Sequence, residues 1–267
     1  MAGIKPDPVR HRIAAAMLGL GWIGIGLIGL LYRDFLLQYQ PVPAAFPARQ
    51  GLAILCACLS VACGIGLAFD RTRFSAATTL AVQQAFWALI AQPLGLWPFP
   101  LAVGPWIAVA ENALILTALA SLAANERLKS VPAGLDRSAV DILTATRLLF
   151  ALCCLIFAAG HFAYLGPTAR MVPDWLPARL FLAGLTGTFH LAAAVGLLTR
   201  RFRRRAAEME AVMMGLFFLL VHVPTLSGPL PFFASTYHAV LVALVIAWSL
   251  ASSAAVIATT LPRRIAG

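Results

Sequence analysis

Four of the five histidines in the 267-residue chain, His161, His190, His222 and His238, fall in its second half. At ~1.5 Å per residue, counting from the ends of their apolar segments puts His190 about 16 Å deep, near the middle of a bilayer. The other three fall close to the outer surface. Polar groups in hydrocarbon are costly and turn toward a bundle interior. Imidazoles converging from four helices could bind a metal or haem, orient a quinone carbonyl or relay protons. There is no His-x-x-x-His pair and each histidine stands on its own segment, so no metal site is expected. Two readings stay open: a polar pocket for a small apolar ligand, and histidines satisfied by backbone or water.

Glu111, followed by Asn112, is a carboxylate about ten residues into an apolar segment. It reads either as a neutral acid hydrogen-bonded to Gln83 or Gln84 on the preceding helix or as a proton site. The cysteines Cys56, Cys58, Cys63, Cys153 and Cys154 all lie in apolar segments without a Cys-x-x-Cys. They read as packing residues, which disfavours a thiol oxidoreductase. Gly-rich nucleotide loops and a Ser-His-Asp order are absent.

The elements that must hold these groups are membrane spans. Hydrophobic residues make up 61% and charged residues 11% of the chain, against about 25% charged in soluble domains. Crossing a ~30 Å core takes about 20 residues. Eight segments qualify: 13–32, 50–69, 74–96, 101–124, 142–165, 179–199, 207–223 and 234–260. The first follows Lys5, Arg10 and Arg12 as a signal peptide would, but its apolar run is too long for one and it is expected to be retained. With the N-terminus inside, 16 of the 20 basic residues fall on the cytoplasmic side and only Arg33, Arg49, Arg170 and Arg179 outside. That bias predicts both termini in the cytoplasm. The +10 formal charge therefore implies no nucleic-acid partner, and the run Arg200–Arg205 reads as a topology anchor touching anionic lipid.

The chain also repeats itself. Val42-Pro43-Ala44-Ala45-Phe46-Pro47-Ala48-Arg49 recurs as Val172-Pro173-Asp174-Trp175-Leu176-Pro177-Ala178-Arg179, and residues 42–77 against 172–207 give 15 identities in 36 positions. A one-residue slip near Pro93/Pro224 changes the offset from 130 to 131. Four spans per copy return the chain to its starting side, so the copies enter the membrane in the same sense. The fold expected is an all-α membrane protein: two parallel four-helix bundle repeats with both termini inside. The first unit is 1–128, a cytoplasmic linker broken by Pro132 and Gly134 is 129–141, and the second unit is 142–267. Ser138 and Asp141 are read as the cap of the fifth helix. Small faces, Ala53, Ala57, Ser60 and Gly64 in one copy and Ala183, Gly187, His190 and Ala194 in the other, mark close helix packing. The proline motifs form outer loops, with Trp175 at interface depth roofing an outer-leaflet pocket of His161, His190, His222 and His238.

Gly160-His161-Phe162, then Met171-Val172-Pro173-Asp174-Trp175-Leu176-Pro177, then Gly196-Leu197-Leu198 with Arg203-Arg204-Arg205-Ala206-Ala207 resembles the DoxX-like family of four-helix membrane proteins. The resemblance covers 142–260 and, through the repeat, 13–124 more weakly. It implies a four-helix unit in a bacterial inner membrane. Some relatives are similar to the quinone-reducing membrane subunit of thiosulfate:quinone oxidoreductase. Here two units are fused, and Pro224 is followed by Thr225 where an asparagine is expected soon after the proline. The function expected is a quinone- or lipid-binding membrane subunit of a redox system, with quinone as candidate cofactor and lipids and a redox subunit as partners. The alternative is a non-catalytic membrane scaffold or a lipid or small-molecule transporter.

Overall fold

A computed structural model describes residues 7–96, 101–131, 136–227 and 236–261. Pro132 and Gly134 of the linker, with Lys5, Arg263 and Arg264, lie outside these residues. The described chain is helical, and eight helices are long and apolar enough to cross a membrane: α1 (Pro8–Tyr32), α2 (Arg49–Leu67), α3 (Arg73–Leu94), α4 (Val103–Ser130), α5 (Arg137–Ala163), α6 (Arg179–Leu198), α7 (Arg203–Ser227) and α8 (Tyr237–Thr260). All eight sequence segments are found as helices. A short helix, Leu165–Met171, occupies the loop after α5.

Local chemistry sets the ends. Asp7 caps α1 by accepting from the Val9 amide at 3.1 Å, with Pro8 pre-set for the first turn. The cap of α5 is Asp136, not Ser138 or Asp141. Its carboxylate accepts from the Ala139 amide at 3.0 Å, while Ser138 donates to the same oxygen at 2.5 Å. Those two bonds, with Arg127, hold the Asp136 carboxyl down at about 2. The helix therefore begins five residues ahead of its apolar run, because polar residues outside a bilayer can continue a helix once it is capped.

The two halves share local geometry. Ala48 and Ala178, 130 apart, both take left-handed φ, 55° and 53°, at the entry to α2 and α6. Phe46 N–H donates to the Pro43 carbonyl and Leu176 N–H to that of Pro173, each at 3.0 Å. Both α3 and α7 widen into π turns, Trp87–Ala91 and Phe218–His222. These turns contain Leu89 and Leu220, whose carbonyls stand four residues before Pro93 and Pro224. A proline lacks the N–H to bond that carbonyl and crowds it, so a widened turn accommodates the ring. The α-helical part is 14 residues in α3 and 15 in α7. The slip thus falls before the π turns, and the counterpart of His222 is Ala91.

Packing differs from the expected pair of closed bundles. In each half the helices form an open row, α1–α2–α3–α4 and α5–α6–α7–α8, whose first and last members have little backbone approach to each other, α1 and α4 meeting through His11 and Glu126 at 2.8 Å. The rows close on one another: α4 packs on α5, α8 on α1, and α4 on α8. Accordingly α4 and α8 are the most buried, 61% of an 18-residue apolar stretch of each, against 17% of such a stretch of α7. The small faces pack as expected, and Ala53, Ala57, Ser60 and Gly64 of α2 are all buried. A Cβ at Gly19 of α1 would stand 2.4 Å from the Gly64 carbonyl oxygen, so only glycine allows the α1–α2 approach.

Candidate functional site: a buried histidine–glutamate group

On α6, His190 lies 11 residues in, eight short of the helix end, and on α7 Glu210 lies seven residues past the start. Antiparallel neighbours joined by a tight turn meet at equal distance from it, here about 10–12 Å. His190 Nδ1 and Glu210 Oε1 are 2.6 Å apart, with the side chains 3% and 1% exposed. The Cys154 thiol of α5 lies beside the carboxylate, and Glu210 Oε2 is buried without a hydrogen-bond partner.

His161 of α5 stands next to this pair, its ring centroid 5.0 Å from that of His190. It lies further along the bundle than depth counting suggests. Its Cβ is 2.9 Å from where a Cβ of Gly187 would be, well inside α6. The reason is the helix Leu165–Met171, which carries the chain along α6 before the loop. His161 Nδ1 faces Thr186 Oγ1 at 2.9 Å and the Ala183 carbonyl at 3.3 Å. Thr186 already donates its proton to the Ala183 carbonyl at 2.8 Å. Both oxygens therefore accept from His161, so Nδ1 carries the hydrogen and Nε2 the lone pair. Phe217 stacks on His161 at 5.9 Å and 25°, and Phe157 lies 5.5 Å from His190. His161 and Phe217 are part-exposed at the helix surface, whereas His190 and Glu210 lie behind them.

The other expected members do not join this group. His238 stacks on Tyr32 of α1 at 3.7 Å and 11°, across the contact between the two rows. His222 ends the π turn of α7, its carbonyl accepting from Thr225 at 2.6 Å. Trp175 is 70% exposed and roofs nothing. The pocket expected from four converging imidazoles is thus reduced to two, with Glu210, Thr186 and Phe217 as members the sequence reading missed. No group of three potential metal ligands occurs among the described residues.

Glu111 lies beside Tyr39 of the loop between α1 and α2 rather than being bonded to Gln83 or Gln84. Adjacent helix positions point about 100° apart. Asn112 is the one that faces α3, receiving Gln84 Nε2 at 2.8 Å, while Gln83 donates to Ser60 at 3.2 Å. Burial first, then the neighbouring Glu111, raise the Tyr39 pKa well above its usual value, so the phenol keeps its proton. Beside them is a void lined by Trp22, Tyr39, Gln40, Gln84 and Asn112, with room for about one water. Trp22 Nε1 is buried there without a partner.

What the His161–His190–Glu210 group can do follows from its charge. Imidazolium with carboxylate and imidazole with carboxylic acid are both neutral overall, so a proton can shift within the pair without leaving net charge in hydrocarbon. The lone pair of His161 Nε2 can then receive a proton from a hydroxyl reaching the part-exposed ring. No curated protein and no solved structure matches the chain. A family described as a domain of unknown function, DUF8561, matches residues 150–258, which include His161, His190 and Glu210.

Proposed function

We propose that the protein binds a quinone-type redox carrier at His161, with the His190–Glu210 pair behind it as proton donor and acceptor, and serves as a membrane subunit of a redox system. The observation that carries this reading is the buried 2.6 Å pair with a second imidazole 5.0 Å away and stacked on an aromatic ring. A quinone takes up two electrons and two protons on reduction. A redox partner subunit would exchange the electrons, and this group would exchange protons at the ring oxygens. The protein would lie in a bacterial inner membrane as a DoxX-like chain of two parallel four-helix repeats, both termini cytoplasmic. The recurrent backbone bonds and π turns support the repeat, and the distribution of basic residues supports the orientation.

Organic extraction of the purified protein tests the ligand. Bound quinone is expected in the wild type, with occupancy roughly tenfold lower in His161→Ala at equal quinone, the effect of losing one hydrogen bond of ~1.4 kcal/mol. Extraction of phospholipid alone would favour the scaffold or lipid-transport reading. For orientation, a cysteine at Ala44 should be labelled by an impermeant reagent from the periplasm; labelling only from the cytoplasm would reverse the topology.

A further inference from the structure

Arg73 and Arg203 occupy matching places, 130 residues apart, each opening its helix after the same turn. Their amides donate to the carbonyls of Phe69 at 2.9 Å and Thr199 at 3.1 Å, again 130 apart. Their surroundings are opposite in charge. Arg73, with its side chain 1% exposed, is held by Asp70 at 2.6 Å and Glu126 at 3.6 Å. Its Nε donates to the Leu67 carbonyl at 2.9 Å. In the second half the position of Asp70 is Arg200, and that of Glu126, at the offset of 131, is Ile257. The Leu197 carbonyl, counterpart of Leu67, is taken by Arg147 of α5 at 2.8 Å. Arg203 is left with its Nε buried and without a hydrogen-bond partner.

Among the described residues none of Arg147, Arg200 and Arg203 is ion-paired with an acid. The nearest carboxylate along the helix, Glu208, is engaged by Arg204 at 2.9 Å and Arg10 at 3.8 Å. The charges of Arg147 and Arg200 both act on Arg203. Three guanidiniums at one place repel unless an anion joins them. Here α7 also opens without a side-chain cap, so its first-turn dipole adds positive potential. Exposed Leu198 and Phe202 flank the cluster, offering an apolar surface beside the charge.

We propose that Arg147, Arg200 and Arg203 bind one phosphate group, free or in the headgroup of an anionic phospholipid, filling the place that Asp70 and Glu126 hold in the first half. Planar guanidiniums fit the oxygens of a phosphate two at a time, and basic pockets between spans at the cytoplasmic side suit anionic headgroups. This inference is independent of the quinone reading, since its ligand and residues are different.

The test is native mass spectrometry and thermal unfolding of the full chain in detergent, with added phosphatidylglycerol, phosphatidylcholine or inorganic phosphate. Retention of one phosphatidylglycerol in preference to phosphatidylcholine, with a raised melting temperature, is expected for a lipid site. The same rise with inorganic phosphate alone would assign a free phosphate. Arg203→Gln should weaken binding roughly tenfold, as expected for loss of one charge-assisted contact. Arg200→Asp, which rebuilds the arrangement around Arg73, should abolish the ligand-induced rise and raise the melting temperature of the lipid-free protein. Arg201→Gln, outside the cluster, should change nothing. Binding equal to wild type in Arg200→Asp, or absence of binding by both phosphatidylglycerol and phosphate, would overturn the proposal.

Discussion

At the scale of single residues, the His190–Glu210 pair is a substitution of two positions together. Their counterparts 130 residues earlier are Ser60 and Leu80, and all four are buried. The first half therefore displays a stable solution without the pair, in which Ser60 donates to the Cys56 carbonyl at 2.8 Å. Glu210→Leu alone leaves His190 buried without its acid and should cost about 3–5 kcal/mol. Adding His190→Ser should return stability to within about 1 kcal/mol of wild type while removing the proton-exchanging pair, as read by thermal unfolding in a double-mutant cycle. A double variant no more stable than the single one would show that the halves do not pack alike here. The change at His190, on the small face matching that of Ser60, was legible in the sequence, but its partner Glu210 was hidden there. It falls in the first turn of the apolar segment 207–223, beside Glu208, and only counting from the α6–α7 turn along both helices brings it level with His190. His161 was legible as an intramembrane group, yet its depth was not, because the helix Leu165–Met171 had no clear apolar period.

At the scale of elements, spans were readable because lipid demands long apolar runs, and ends were less so because polar residues outside lipid extend helices freely. The small face of α2 was readable, and the structure shows what it meets: glycines of α1, Gly19 and Gly26 among them. Gly19→Ala places a methyl against the Gly64 carbonyl oxygen and must push the helices apart, at a cost of about 1–3 kcal/mol. Gly51→Ala, at the start of α2 with nothing within 4 Å of the new carbon, should be neutral or slightly stabilising. Thermal unfolding of the two variants should therefore differ in sign or by a clear margin. Equal melting temperatures would mean that the α1–α2 contact is looser than its geometry implies.

At the scale of the molecule, the repeat predicts two similar parts but not how they join. Sequence periodicity marks which faces are small or apolar without saying whether a row closes on itself or on its neighbour. Two observations decide it: α4 and α8, the last helix of each row, are the most buried spans, and each packs on the first helix of the other row. A polar contact crosses the seam at each side, Ser121 Oγ to Thr146 Oγ1 at 2.7 Å between α4 and α5, and Trp248 Nε1 to the Met17 carbonyl at 2.7 Å between α8 and α1. Because α4 and α8 each pack most extensively on a helix of the opposite row, and one apolar core runs through both halves, neither half has its own closed core. Expressed separately, residues 1–131 and 136–267 should each be unstable and degraded, whereas co-expression should return both halves as one complex that co-purifies through a tag on either. The chain between them need not be continuous, since α4 packs directly on α5. A half that is monodisperse and stable alone would mean that each row can close into a bundle after all, with the seam a secondary contact.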